Sequence, residues 1–93
     1  MDERQNLIDR ARIVRAMLMA VENAPRLLEV CATADADDHA ELVAAVADEF
    51  DIDSLEADVI LNMRVRRFTP RDVAQLRSEL DLFEQRIREL GRA

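Results

Sequence analysis

The chain has no lysine, tryptophan or tyrosine, and its 93 residues include one glycine, one cysteine and two prolines. Each scarcity excludes something. The lone Cys31 rules out an intramolecular disulfide and points to a reducing compartment. It follows Leu27, Leu28 and Val30, where a small buried thiol is expected, with Arg26 the closest basic residue in sequence. One glycine cannot build a Gly-rich phosphate loop. One histidine and one cysteine cannot supply the converging ligands of a zinc site. His39 stands among Asp35, Asp37, Asp38 and Glu41, a charge cluster suited to the start of a helix. No apolar run approaches the roughly 20 residues needed to span a bilayer, so no membrane association is expected. The Met-Asp-Glu-Arg start lacks the apolar stretch of a signal peptide. A cytoplasmic protein is expected, and the Met1 start with the Gly91-Arg92-Ala93 end suits a small natural gene.

What is present is aliphatic and charged. Hydrophobic residues make up 49% and charged residues 35%, with aromatics at only 3%. Ala, Leu, Val, Ile and Met must fill the core, as in helical bundles. Residues 1–93 make one domain at most, too short to bury all its apolar surface alone. The formal net charge is −7 and all 13 basic residues other than His39 are arginine. An acidic chain has no global field to attract nucleic-acid phosphates. Arg64, Arg66, Arg67 and Arg71 form a local exception, open to a phosphate or partner contact or to pairing with the surrounding acids.

The strongest pattern lies at the two ends. Val73, Leu76, Leu80, Phe83, Ile87 and Leu90 repeat at spacings of 3, 4, 3, 4 and 3, an unbroken heptad stripe. Thr69 as N-cap, Pro70 at the first helical position and Asp72 three beyond the cap predict a helix over 70–90, stopped by Gly91. Leu7, Ala11, Val14, Leu18 and Val21 answer with spacings of 4, 3, 4 and 3 over about 4–22. Pairing the two stripes antiparallel, Leu7 near Leu90 and Val21 near Val73, buries both. The expected fold is all-α: an antiparallel two-helix coiled coil whose intervening residues, about 24–68, form a helical globule at one end. A conventional four-helix bundle is the competing arrangement.

Within that globule, Asn23-Ala24-Pro25 breaks the first helix and a short helix reaches about Cys31. Ala34-Asp35-Ala36-Asp37-Asp38 is a polar connection, with Asp35 an N-cap candidate. The next helix runs to about Glu49, with Leu42, Val43, Val46 and Phe50 on its apolar side. Asp53-Ser54-Leu55-Glu56 is a capping box opening a further helix, which carries Leu55, Val59, Ile60 and Met63 and continues toward Val65 and Phe68. This last run exceeds the apolar surface a small globule needs. No paired acid and base and no nucleophile beside a base is encoded, so catalysis, metal and cofactor are not expected.

The stretch Phe50 to Thr69 resembles the breakage-reunion subunit of bacterial type IIA topoisomerases, which DNA gyrase and topoisomerase IV share. That family carries a pattern close to Q-A-Q-A-I-L-D-M-R-L-Q-R-L-T. Ala57, Ile60, Leu61, Met63, Arg64, Arg67 and Thr69 match it outright. Val59, Val65 and Phe68 are apolar replacements, and Glu56 stands where Gln is usual. Arg10 to Leu28 resembles the family's preceding coiled-coil helix, including an Asn near Asn23. The resemblance spans about residues 4–90 and implies the coiled-coil arm and terminal globule of the exit gate, where two protomers meet head to head. It implies a homodimer with Ile52, Leu55, Val59, Ile60, Met63 and Phe68 at the contact. Pro70 departs from a usual Gly, and Asn23-Ala24-Pro25 alters the joint. The family's DNA-cleaving tyrosine and its other domains are absent, so topoisomerase activity is not expected of this chain.

Three functions follow as expectations. One is a dimerisation module that pairs with the full-length breakage-reunion protein of DNA gyrase, acting as decoy or regulator. Another is a structural adaptor contacting DNA or protein through its arginine cluster. The last is a small helical enzyme such as a mutase, which would need Arg and Glu converging in an interior pocket.

Overall fold

Four of the five described α-helices start where a side chain accepts from the first unpaired backbone N–H groups. The computed structural model describes residues 2–35 and 37–92; Ala36 of the predicted connection and the Met1 and Ala93 ends lie outside the described residues. Asp2 caps α1 (Glu3–Glu22), accepting from the Arg4 N–H at 3.0 Å. α1 stops at Asn23, whose backbone N–H donates to the Met19 and Ala20 carbonyls. Asn23 also opens α2 (Ala24–Thr33), with Pro25 in the first turn where its missing N–H costs nothing.

α3 (His39–Phe50) is capped by Asp38 rather than Asp35; Asp38 accepts from the Glu41 N–H at 2.9 Å. The choice falls there because Glu41 can reciprocate, accepting from the Asp37 N–H at 2.8 Å. α3 ends on Asp51, held left-handed at φ 54° and ψ 51°. α4 (Ser54–Leu61) opens with the predicted capping box of Asp53 and Glu56.

α4 does not continue to Phe68. Asn62 ends it by donating from Nδ2 to the Asp58 carbonyl at 2.8 Å, the kind of local bond that competes with helix propagation. Arg64 is extended and Val65–Phe68 forms a single 3₁₀ turn. The proline that follows disfavours the helical region at Thr69, which lies at φ −72° and ψ 151°. Thr69 then caps α5 (Pro70–Gly91) by accepting from the Asp72 N–H at 3.4 Å. Gly91 is not a left-handed stop; it lies inside the helix, and no glycine has positive φ. A Cβ there would sit 3.4 Å from Arg4 Nε, an ordinary contact with a side chain that packs at this end of the helix.

All described elements are helical, and α1 and α5 pack as the long antiparallel pair. Glu22–Arg77 at 2.9 Å and Arg15–Glu84 at 3.2 Å step seven residues along each helix in opposite directions and mark the register, and Glu3–Arg86 at 3.4 Å ties the far end. Val14, Leu18 and Leu76 form its buried seam, with Met17, Val21, Val73, Leu80 and Phe83 around them. Arg10 lies 5.3 Å over the Phe83 ring.

α1 has a second face. Ala16 and Ala20 join Leu27, Val43, Val46, Phe50, Ala57 and Ile60 in the head core. Small residues on that face let the head helices approach the α1 backbone closely. The head therefore lies along α1 and not only beyond the tip of a coiled coil. Arg12, midway along α1, reaches both Asp53 and Glu56 at the start of α4. The physical reason is that α1 carries apolar residues around more of its circumference than one partner helix can cover.

Candidate interaction surfaces of the head

α4 turns Ala57 and Ile60 inward, three residues apart on one face. Ile60, expected at the contact between protomers, is 3% exposed and belongs to the head's own core. Ile52, Met63 and Phe68 are partly buried against the same core. Leu55 stands on the opposite face of α4 at 62% exposure, with half-buried Val59 one turn later. Val65, at the start of the 3₁₀ turn, is 84% exposed. Of the expected contact residues Leu55 is thus uncovered and Val59 half-buried outside the core, while Ile52, Ile60, Met63 and Phe68 are shared with the interior; Val65, on the same apolar run, is also uncovered.

The start of α4 is tied down electrostatically. The Glu56 backbone N–H donated to Asp53, with Arg12 beside it, holds the Asp53 carboxyl below its ordinary range. The hydrogen bond to Glu56, then the charges of Glu56 and Asp53, raise the Arg12 guanidinium in return. These groups lie at the surface, where such pairs contribute little stability. Their value is positional: they hold the α4 cap against α1. Farther along α4, His39 Nε2 lies 2.6 Å from Asp58 Oδ1 and ties the first turn of α3 to it. Arg26 joins α2 to α3 by bonding Glu49 at 2.8 Å and lying 4.7 Å over the Phe50 ring. None of these three links has a sequence signature, because each spans partners far apart in the chain.

The arginine cluster divides. Arg64, Arg66 and Arg67 line one open groove of about 610 Å³ between the 3₁₀ turn, α1, α4 and α5. Arg71 is exposed and lies outside its lining. Met17, Val59 and Met63 form the groove's apolar part. Asp58 and Asp72 also border it, and Arg66 Nε approaches Asp72 at 3.9 Å. Among the described residues, Arg64, Arg67 and Arg71 make no ion pair within 4.0 Å.

Cys31 is exposed, not buried. The inward side of α2 runs through buried Leu27 and half-buried Val30, which leaves Cys31 at its edge and Leu28, 67% exposed, beyond it. Among the described residues no group of three His, Cys, Asp or Glu side chains is placed to hold a metal ion, and no helix is long and apolar enough to cross a membrane. No family description, curated protein or solved structure matches this chain.

Proposed function

We propose that the chain is a non-catalytic dimerisation module resembling the exit-gate segment of the gyrase breakage-reunion protein, two copies meeting through their heads. The carrying observation is the uncovered apolar surface on the motif-bearing stretch, Leu55 and Val65 above all, at the head of a two-helix arm. Removing two such side chains from water favours association by about 1.5–3 kcal/mol each before the costs of docking. An isologous contact of this kind would let the chain exchange into the dimer interface of DNA gyrase and modulate it.

Sedimentation of the wild-type chain at tens of micromolar, a range suited to a weak dimer, is expected to give a dimer. Leu55→Glu with Val65→Glu is expected to give a monomer of unchanged helical content. A wild-type monomer would sink the dimer reading. Addition to gyrase is expected to change the supercoiling rate, and no change at excess would remove the regulatory part. The observations give less to a DNA adaptor, because Asp58 and Asp72 border the same groove as the arginines.

A further inference from the structure

The groove beneath the 3₁₀ turn places three guanidinium groups beside an apolar floor, and the proposed dimer makes no use of them. We propose that it binds a small organic phosphate of nucleotide size. Arg64, Arg66 and Arg67 would hold the phosphate, and the body of the ligand would lie on Met17, Val59 and Met63. This reading stands apart from dimerisation, because the groove is lined within one chain and uses neither Leu55 nor Val65.

The local backbone brings the arginines together. Arg67 N–H donates to the Arg64 carbonyl at 2.9 Å, closing the turn that Arg64 enters in extended conformation, and both residues line the groove. Three guanidiniums within four residues repel one another unless anions answer them. The chain's own acids answer incompletely: Asp58 is engaged by His39 and Asn62, and Asp72 lies only within loose reach of Arg66. Elsewhere Arg12, Arg15, Arg26, Arg77 and Arg86 all find carboxylates. Of the other arginines, Arg10 has the Phe83 ring and Arg4 packs at Gly91. Arg88 and Arg92 sit at the C-terminal end of α5, where the helix dipole favours cations. Among the described residues Arg64, Arg67 and Arg71 have none of these arrangements, and of the three Arg64 and Arg67 line the groove.

The ligand class follows from the rest of the lining. Planar guanidinium forks match phosphate oxygens two at a time. A volume of about 610 Å³ falls within the usual range of small-molecule sites. The apolar floor suits a body with a flat or aliphatic face. Asn62 and Gln75 amides and the Asp58 and Asp72 carboxylates can accept from hydroxyl or amino groups. A nucleotide carries phosphate at one end and such donors at the other. A polyanion would set further phosphates against these carboxylates, on a chain of net charge −7.

Calorimetric titration of AMP, inorganic phosphate and a short DNA duplex into the whole chain at low salt tests the assignment. AMP is expected to bind at about millimolar affinity or tighter. Loss of two charge-assisted contacts in Arg64→Ala/Arg67→Ala is expected to weaken it by at least about tenfold. Arg64→Lys/Arg67→Lys, which keeps charge but not the fork, should fall between, and Arg88→Ala should match wild type. Inorganic phosphate should bind more weakly than AMP. No AMP binding, or binding indifferent to the double variant, overturns the proposal, as does duplex binding while AMP is silent. Phosphate binding as tight as AMP overturns the role of the apolar floor. Leu55→Glu, titrated at a concentration where sedimentation shows a monomer, separates the two readings: AMP binding retained supports a single-chain site, and its loss overturns one.

Discussion

In the arm, the buried seam is narrow: Val14, Leu18 and Leu76, lined by half-buried heptad neighbours from two helices. In the head, eight buried residues come from α1, α2, α3 and α4, and no single spacing rule connects them. The seam repeats along one direction, so each residue's partner follows from its position in the heptad. The head core is closed by contacts between segments far apart in the chain, so each partner depends on where short helices stop. α1 serves both, with Val14 and Leu18 toward α5 and Ala16 and Ala20 toward the head. A helix shared in this way couples the two regions, so the arm should not melt away from the head.

That coupling can be broken most severely from the head. Phe50→Ala, at a residue 8% exposed, is expected to cost about 3–5 kcal/mol. Leu76→Ala, at a residue 0% exposed in the seam, is expected to cost about 2–5 kcal/mol. For a small domain these are large fractions of total stability, about 5–15 kcal/mol. Both variants should shift a single cooperative transition, followed by circular dichroism in urea. Two separated transitions in either variant would show that the arm and head are independent units.

A smaller effect tests the head's own turns. Asp51 is the described non-glycine residue with positive φ, where a side chain is strained and glycine is not. Asp51→Gly is expected to raise stability by about 0.5–1 kcal/mol, read as a higher urea midpoint with unchanged slope. A fall would mean that the carboxylate itself holds the α3 end.

The smallest effect is on the link between α1 and α4. Asp53 titrates below its ordinary 3.8 in the folded chain. A depressed carboxyl contributes stability that is present above the unfolded pKa and lost as pH falls through the folded one. The urea midpoint should therefore decline as pH drops below 3.8, and less so in Asp53→Asn. An identical decline in the variant would assign the acid sensitivity to other carboxylates.

Parts of the candidate site are legible in the residues and parts are not. The Asp53–Glu56 capping box and the Thr69-Pro70-Asp72 start follow from local hydrogen-bonding rules and appear where expected. The end of α4 is not legible, because Asn62 competes for the Asp58 carbonyl through a bond that a hydrophobic pattern does not register. After that early stop Arg64, Arg66 and Arg67 all line one groove, whereas in a continuous helix Arg64 and Arg67 would share a face and Arg66 would turn away. The stop also leaves Val65 outside the core that Ile60 joins, while Leu55 is outside it because it lies on the other face of α4. The exposure of Cys31 escapes the pattern for a related reason: α2 is short, and a slight rotation of its stripe decides which edge residue reaches water.

The sequence by itself determined an all-helical chain and the span and antiparallel pairing of the two long helices. Heptad spacing and caps are local codes, and opposite charges along the seam reinforce them. Only the tertiary structure decided that the head lies along α1, that Arg12 reaches the α4 cap, and which apolar residues remain uncovered. Those outcomes depend on packing between short helices whose faces are apolar on more than one side. Local pattern alone leaves several ways to bury such faces, and close packing selects one.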